Sequence, residues 1–162
     1  CYNLVGFQTR LKFGEQKRVF SMIPGLENAE FLRYGVMHRN TFLDSPGILG
    51  ADYRLLDEPR IAVAGQLCGV EGYVESAASG LYAAVSMANR IAGKDPVIFP
   101  CETAIGAMGD YVSRGNGGAF QPMNVNFGIM PPLDKRVRNK KERCEKIAAR
   151  ALEALANAKQ NI

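Results

Sequence analysis

Three glycines, Gly65, Gly69 and Gly72, fall within eight residues and stand between an apolar run, Ile61 to Ala64, and a repeat of apolar positions that begins at Val74. Glycine lets backbone take dihedrals closed to other residues and lets it approach a ligand closely. The repeat Val74, Ala77, Ala78, Leu81, Val85, Ala88, Ile91 has helical spacing, and Gly93 and Pro96 lie beyond it as stop signals. A helix that starts at a glycine loop offers free N–H groups and the positive end of its dipole to phosphate or another electron-rich group. The spacing is not G-x-G-x-x-G, so a cofactor loop and an ordinary strand-to-helix turn fit the pattern equally well.

Other residues could also do chemistry. His38, the one histidine, lies in the polar run His38-Arg39-Asn40-Thr41, where it suits either an exposed hydrogen-bonding role or a ligand contact. Cys1, Cys68, Cys101 and Cys144 are tens of residues apart with no C-x-x-C pair and no histidine cluster, so neither a metal site nor a disulfide framework is expected. Between Asp134 and Arg150 there are eight Lys or Arg against three acids, a net +5 in a chain whose total is +4. Such a run is either a solvated helix face or a polyanion contact. Gln121-Pro-Met-Asn-Val-Asn-Phe-Gly128 is too rich in Asn, Gly and Pro for regular structure. It reads as an ordered loop whose Asn124 and Asn126 either satisfy local backbone or face a ligand.

The elements that must position these residues follow from the pattern. Ile61–Ala64 is a short unbroken apolar run that suits a parallel strand buried on both faces. Residues 1–13 and 31–37 read as strands, with a short helix over 15–23 between them whose buried side is Val19, Phe20, Met22 and Ile23, and with one brief strand at 53–56. Further helices are expected over 74–93, 102–113 and 139–158, the last with Ile147, Ala148, Ala151, Leu152 and Leu155 as its apolar stripe. Asp44 to Glu58 is turn-rich, and a domain boundary is expected near Pro59. At 162 residues, 47% hydrophobic and 22% charged, the chain is in the ordinary globular range. It has no apolar run of about 18 residues and no signal-like segment, which makes a cytoplasmic location the expectation.

Gly65-Gln66-x-x-Gly69-Val70-Glu71-Gly72-Tyr73-Val74-Glu75-Ser76-Ala77-Ala78-Ser79-Gly80 resembles the flavin-proximal segment of the folate- and FAD-dependent tRNA (uracil-5-)-methyltransferases, the TrmFO family, related to the GidA/MnmG flavoproteins. Tyr2-Asn-Leu-Val-Gly-Phe-Gln-Thr9, Ile23-Pro-Gly-Leu-Glu-Asn-Ala-Glu30, Arg33-Tyr-Gly-Val-Met-His-Arg-Asn-Thr41, Phe99-Pro-x-Glu-Thr-Ala104 and Gln121-Pro-Met-Asn-x-Asn-Phe-Gly128 resemble it in the same order, so the resemblance covers essentially the whole chain.

The resemblance implies an α/β fold: the C-terminal part of a Rossmann-like FAD-binding domain of glutathione-reductase type over 60–162, and the end of an inserted α/β folate and substrate domain over 1–59. It implies a C-terminal fragment, inactive in isolation, since the family's dinucleotide fingerprint and its nucleophilic cysteine both lie upstream; no catalytic residue is assigned here. The implied cofactors are FAD, methylenetetrahydrofolate and a nicotinamide reductant, NADH or NADPH, and the implied partner is tRNA, methylated at C5 of a T-loop uridine. Gly65, Gln66, Gly69, Val70, Glu71, Gly72 and Tyr73 would contact the flavin. His38, Asn40 and Tyr73 would bound the folate pocket, His38 by stacking its ring. Arg136, Arg138, Lys140, Lys141 and Arg143 would contact tRNA phosphates. The rival readings are an FAD enzyme of the tRNA wobble uridine, which shares the glycine-loop pattern but lacks the Tyr-Gly-Val-Met-His-Arg-Asn-Thr segment, and a non-catalytic RNA-binding piece.

Overall fold

The computed structural model describes residues 2–7, 9–37 and 40–159. Four α-helices run in chain order: α1 (Phe13–Phe20), α2 (Tyr73–Ile91), α3 (Ala104–Arg114) and α4 (Lys140–Ala158), with a single 3-10 turn at Gly65–Cys68 ahead of α2. The chain divides into two compact units, residues 1–39 and 40–162.

The first unit is built on one helix and an aromatic cluster. Phe20 meets Phe7 edge-on at 5.2 Å and Phe31 at 5.9 Å, while Tyr34 stacks on both Phe31 and Phe13. The helix expected over 15–23 begins and ends earlier. After Phe20 the chain closes through single turns, Met22 N–H to Val19 O and Ile23 N–H to Phe20 O, which leaves Met22 exposed rather than buried. The buried polar residue is Gln16. Its amide donates to Leu11 O and Gly35 O, both at 2.8 Å, and accepts from Gly35 N–H, so all its hydrogen bonding is internal and it pins the 31–37 segment to α1. That segment is irregular, and residues 2–7 form a turn rather than the expected strand.

The second unit packs α2 against α3. α2 buries Ser79, Tyr82, Ala83 and Ser86, one stripe at helical spacing, and α3 buries Ala107, Met108, Tyr111 and Val112 against it. Leu49, Tyr53, Cys68, Val70 and Phe120 complete the core, with Tyr82 edge-on to both Tyr53 and Phe99. Thr103 caps α3 through Gly106 N–H, and Asn139 caps α4 through Glu142 N–H, each within two residues of the helix start read from the sequence.

The expected parallel strand is a correction. Among the described residues there is no strand, only isolated bridges. Ile61–Ala64 pairs antiparallel with the segment before it, by the Arg54–Ala62 bridge and by Leu55 N–H to Ile61 O and Val63 N–H to Tyr53 O. Residues 53–56 also pair with 48–50 across the tight turn at Gly50–Tyr53, and each of the two pairings amounts to a single bridge. Ile61 is 49% exposed, so the run is not buried on both faces. The same bonds explain why the compact units part at Arg39–Asn40 and not near Pro59. Residues 43–56 are tied to the glycine-loop side by Leu43 N–H to Leu67 O and by Ser45 Oγ to Cys68 O at 3.0 Å.

Candidate functional site

The glycine loop adopts the backbone that its composition suggests. Gly65, Gly69 and Gly72 have φ of 69°, 89° and 88°, all in the region that side chains disfavour. At Gly69 the space above Cα is filled by Phe120, whose ring an added Cβ would strike. At Gly72, the residue that caps α2, an added Cβ would strike the Glu75 carboxylate and the Asn124 side-chain amide.

Hydrogen bonds from α2 hold the loop in place. Gly65 N–H donates to Ser79 Oγ at 2.9 Å, Ser79 Oγ donates to Ser76 O, and Ser76 Oγ donates to Val70 O. Small side chains at 76 and 79 are therefore hydrogen-bonding groups as well as space-savers, a role signalled by two serines one turn apart beside a glycine loop. The other wall is the 121–128 loop. Val70 bridges Met123 in parallel register, with Met123 N–H to Gly69 O at 3.1 Å and Glu71 N–H to Met123 O at 3.0 Å. This pairing carries Asn124 to Gly72, whereas Asn126 turns on itself, accepting from Gly128 N–H at 2.8 Å.

No side chain caps α2, and the N–H groups of Tyr73, Val74 and Glu75 have no partner among the described residues. Tyr73 is 98% exposed, Gln66 is exposed, and Val70 is buried. The site therefore presents backbone donors, with carboxylates at Glu71 and Glu75 on its border. Beside it a cavity of about 340 Å3 opens between α2 and α3, lined by Tyr53, Val74, Glu75, Ala78, Met108 and Val125 among others. Tyr53 was not legible as a site residue. It is wholly buried, holds φ of 65°, the one positive value at a non-glycine among the described residues, and its phenol is pushed up by burial first and by Cys68 next. The buried Asp52 beside it accepts from Ser86 Oγ at 3.0 Å and faces Arg54 at 3.2 Å, which fixes the turn that imposes this dihedral.

Cys68 and Cys101 have the wrong environment for a nucleophile. Burial pushes the Cys68 thiol up to about 11, and its Sγ donates to Gly65 O. Cys101 is exposed, yet its thiol is also raised, by desolvation first and then by the Glu102 carboxylate.

Of the expected folate residues, Asn40 and Tyr73 are both exposed and His38 lies outside the described residues. The expected tRNA contacts occupy a different place from the glycine loop, at the start of α4. Arg136, Arg138, Lys140, Lys141 and Arg143 are all exposed, and none is in an ion pair among the described residues. Lys140 and Lys141 sit in the first turn of α4, where the dipole favours acids and each cation costs about 0.3–1 kcal/mol. Helix stability does not account for them. No helix among the described residues is long and apolar enough to cross a membrane.

The protein family described as glucose inhibited division protein A matches residues 1–95. A protein of Ligilactobacillus salivarius (strain UCC118) is 60% identical over 158 residues, 98% of this chain and 36% of its own length; it is named "Methylenetetrahydrofolate--tRNA-(uracil-5-)-methyltransferase TrmFO". Proteins of the same name from Listeria innocua serovar 6a and Staphylococcus aureus (strain JH9) are 55% and 56% identical over 99% of this chain and 37% of their own lengths. The chain thus spans somewhat more than a third of the relatives it matches.

Proposed function

Because this chain belongs to the glucose inhibited division protein A family, more than half of it being matched, we propose that it is the part of a tRNA (uracil-5-)-methyltransferase that holds the flavin ring end, one side of the folate pocket and a tRNA-binding face. The observation that carries the reading is the uncapped start of α2, reached through glycine-only backbone, at the position where the resemblance puts the flavin. The relatives' shared name supplies the reaction: C5 methylation of uracil in tRNA with methylenetetrahydrofolate.

The residues present fit a flavin. The N–H groups of Tyr73, Val74 and Glu75 are free to donate to it, the Asn124 amide and the Glu75 carboxylate close over Gly72 at their side, and the adjoining cavity is largely apolar, as a ring system requires. When bound, reduced flavin supplies electrons for the transfer of a one-carbon unit from the folate to uracil. This chain's own contribution is to hold and orient. Gly65, Gln66, Gly69, Val70, Glu71 and Gly72 form the loop beside the ring, but Val70 is buried and the N–H groups of Gly65, Gly69, Val70 and Glu71 are spent on Ser79 Oγ, Gln66 O, Gly65 O and Met123 O. The donors for developing negative charge are therefore those of Tyr73, Val74 and Glu75. The resemblance assigns Tyr73, Asn40 and His38 to the folate, and Asn124 supplies a side-chain amide beside Gly72. On this reading the C-terminal part of a Rossmann-like FAD-binding domain lies within 40–162, the unit that holds the glycine loop, and the end of an inserted domain comes before it in sequence. The nucleophilic cysteine and the reductant site, for NADH or NADPH, belong to other parts of the protein.

Flavin content tests the site. The full-length protein that carries this chain is expected to purify with flavin absorbance, and Gly72→Val to lose it, because a branched side chain both clashes and cannot take that φ. Normal flavin in the variant would move the cofactor elsewhere.

A further inference from the structure

The 127–138 loop folds against α4, and the two enclose a cleft of about 990 Å3 that shares no lining residue with the glycine-loop cavity. Its floor is apolar, formed by Phe127, Met130, Leu133, Val137 and the buried Ile147. Lys135, Arg136, Arg138, Lys140 and Arg143 stand around it, against one acid, Asp134. None of the five cations is ion-paired among the described residues. The loop is fastened to the helix. The Arg150 guanidinium donates to Pro132 O at 2.9 Å and to Pro131 O at 2.5 Å, so the cleft keeps its shape through a prolyl pair and a two-pronged clamp.

A surface that only attracts phosphate needs exposed cations and no apolar depth. Here the unpaired cations surround an apolar hollow that includes Phe127, an aromatic ring 44% exposed with no aromatic neighbour among the described residues. Cations around an aromatic-bearing groove are the chemistry of single-stranded nucleic acid, in which the bases present flat apolar faces and the backbone carries the charge. We infer that the cleft between the 127–138 loop and α4 takes one unstacked RNA base on its floor, against Phe127, while the surrounding cations hold the phosphates on either side. This rests on the tRNA-binding reading and adds to it a base-binding pocket apart from the flavin.

The experiment is a fluorescence titration of the full-length protein with a short single-stranded oligouridylate, run at several salt concentrations. Phe127→Ala is expected to weaken binding roughly ten-fold at every salt concentration with the slope unchanged, since base–aromatic stacking is insensitive to salt. Phe127→Tyr is expected to restore it. Lys140→Ala with Arg143→Ala is expected to reduce the salt slope by about 1.4, two phosphates at roughly 0.7 each for a single strand. If Phe127→Ala, correctly folded by its melting profile, binds the oligonucleotide like the parent while the double variant is impaired, the base pocket is overturned and phosphate binding survives. Unchanged binding in both variants would overturn the tRNA-binding reading as well. Displacement of the oligonucleotide by polyglutamate at equal charge concentration, or by anionic phospholipid vesicles, would show a merely electrostatic site and also overturn the proposal.

Discussion

Gly72 joins fold and chemistry at one residue. Its φ of 88° and ψ of 144° lie where only glycine is comfortable, and its missing side chain is what lets Glu75 and Asn124 close around it. Gly72→Ala is expected to lower stability by about 1–3 kcal/mol, the usual cost of forcing a side chain into such a dihedral, as measured by denaturant unfolding. A second prediction concerns Cys68. Burial raises its thiol to about 11, so the unfolded chain, whose thiol is near its ordinary value, loses its proton first as pH rises. The contribution is complete below about pH 9 and is lost between about 9 and 11. Tyr82, pushed up by burial to about 12, extends the decline. Cys68→Ala is expected to move the onset of alkaline destabilisation upward by about a unit, and an unchanged onset would show that burial of Cys68 does not set it. At this scale the glycine pattern was legible because glycine alone tolerates the loop's dihedrals. The strained Tyr53 was not, because its dihedral is imposed by the Asp52, Ser86 and Arg54 cluster, whose members come together only in the fold.

Among elements, helices were readable and strands were not. The cores of α2, α3 and α4 follow from apolar spacing, and the α3 and α4 starts are marked by Thr103 and Asn139 as caps. A short apolar run such as Ile61–Ala64 does not name its partner, and here the nearest partner is the antiparallel segment just before it. At α4 cap and charge can be separated. Asn139→Ala is expected to cost about 1 kcal/mol, since Glu142 N–H loses its acceptor. Replacing Lys140, Lys141 and Arg143 together by Ala is expected to leave thermal stability unchanged or slightly raised, because two cations leave the positive end of a helix. The triple variant should still bind tRNA more weakly and with a flatter salt dependence, roughly one unit of slope per lost contact. An unchanged slope would make this segment a solvated helix face.

For the whole molecule, two compact units and two separate candidate surfaces emerge, one built on backbone donors around α2 and one on cations and apolar side chains around α4. The first was anticipated by sequence because its glycines are local. The cleft was not, because it depends on Arg150 reaching back 18 and 19 residues to the prolyl carbonyls. In the proposed function both surfaces serve one reaction on tRNA, and transfer of labelled carbon tests it most directly. With the full-length protein, NADH or NADPH as reductant and methylenetetrahydrofolate labelled in its methylene carbon, the label should appear in the C5 methyl group of uracil in the T loop of tRNA. Label confined to the wobble uridine, or tRNA left unlabelled by a flavin-loaded protein, would contradict the account.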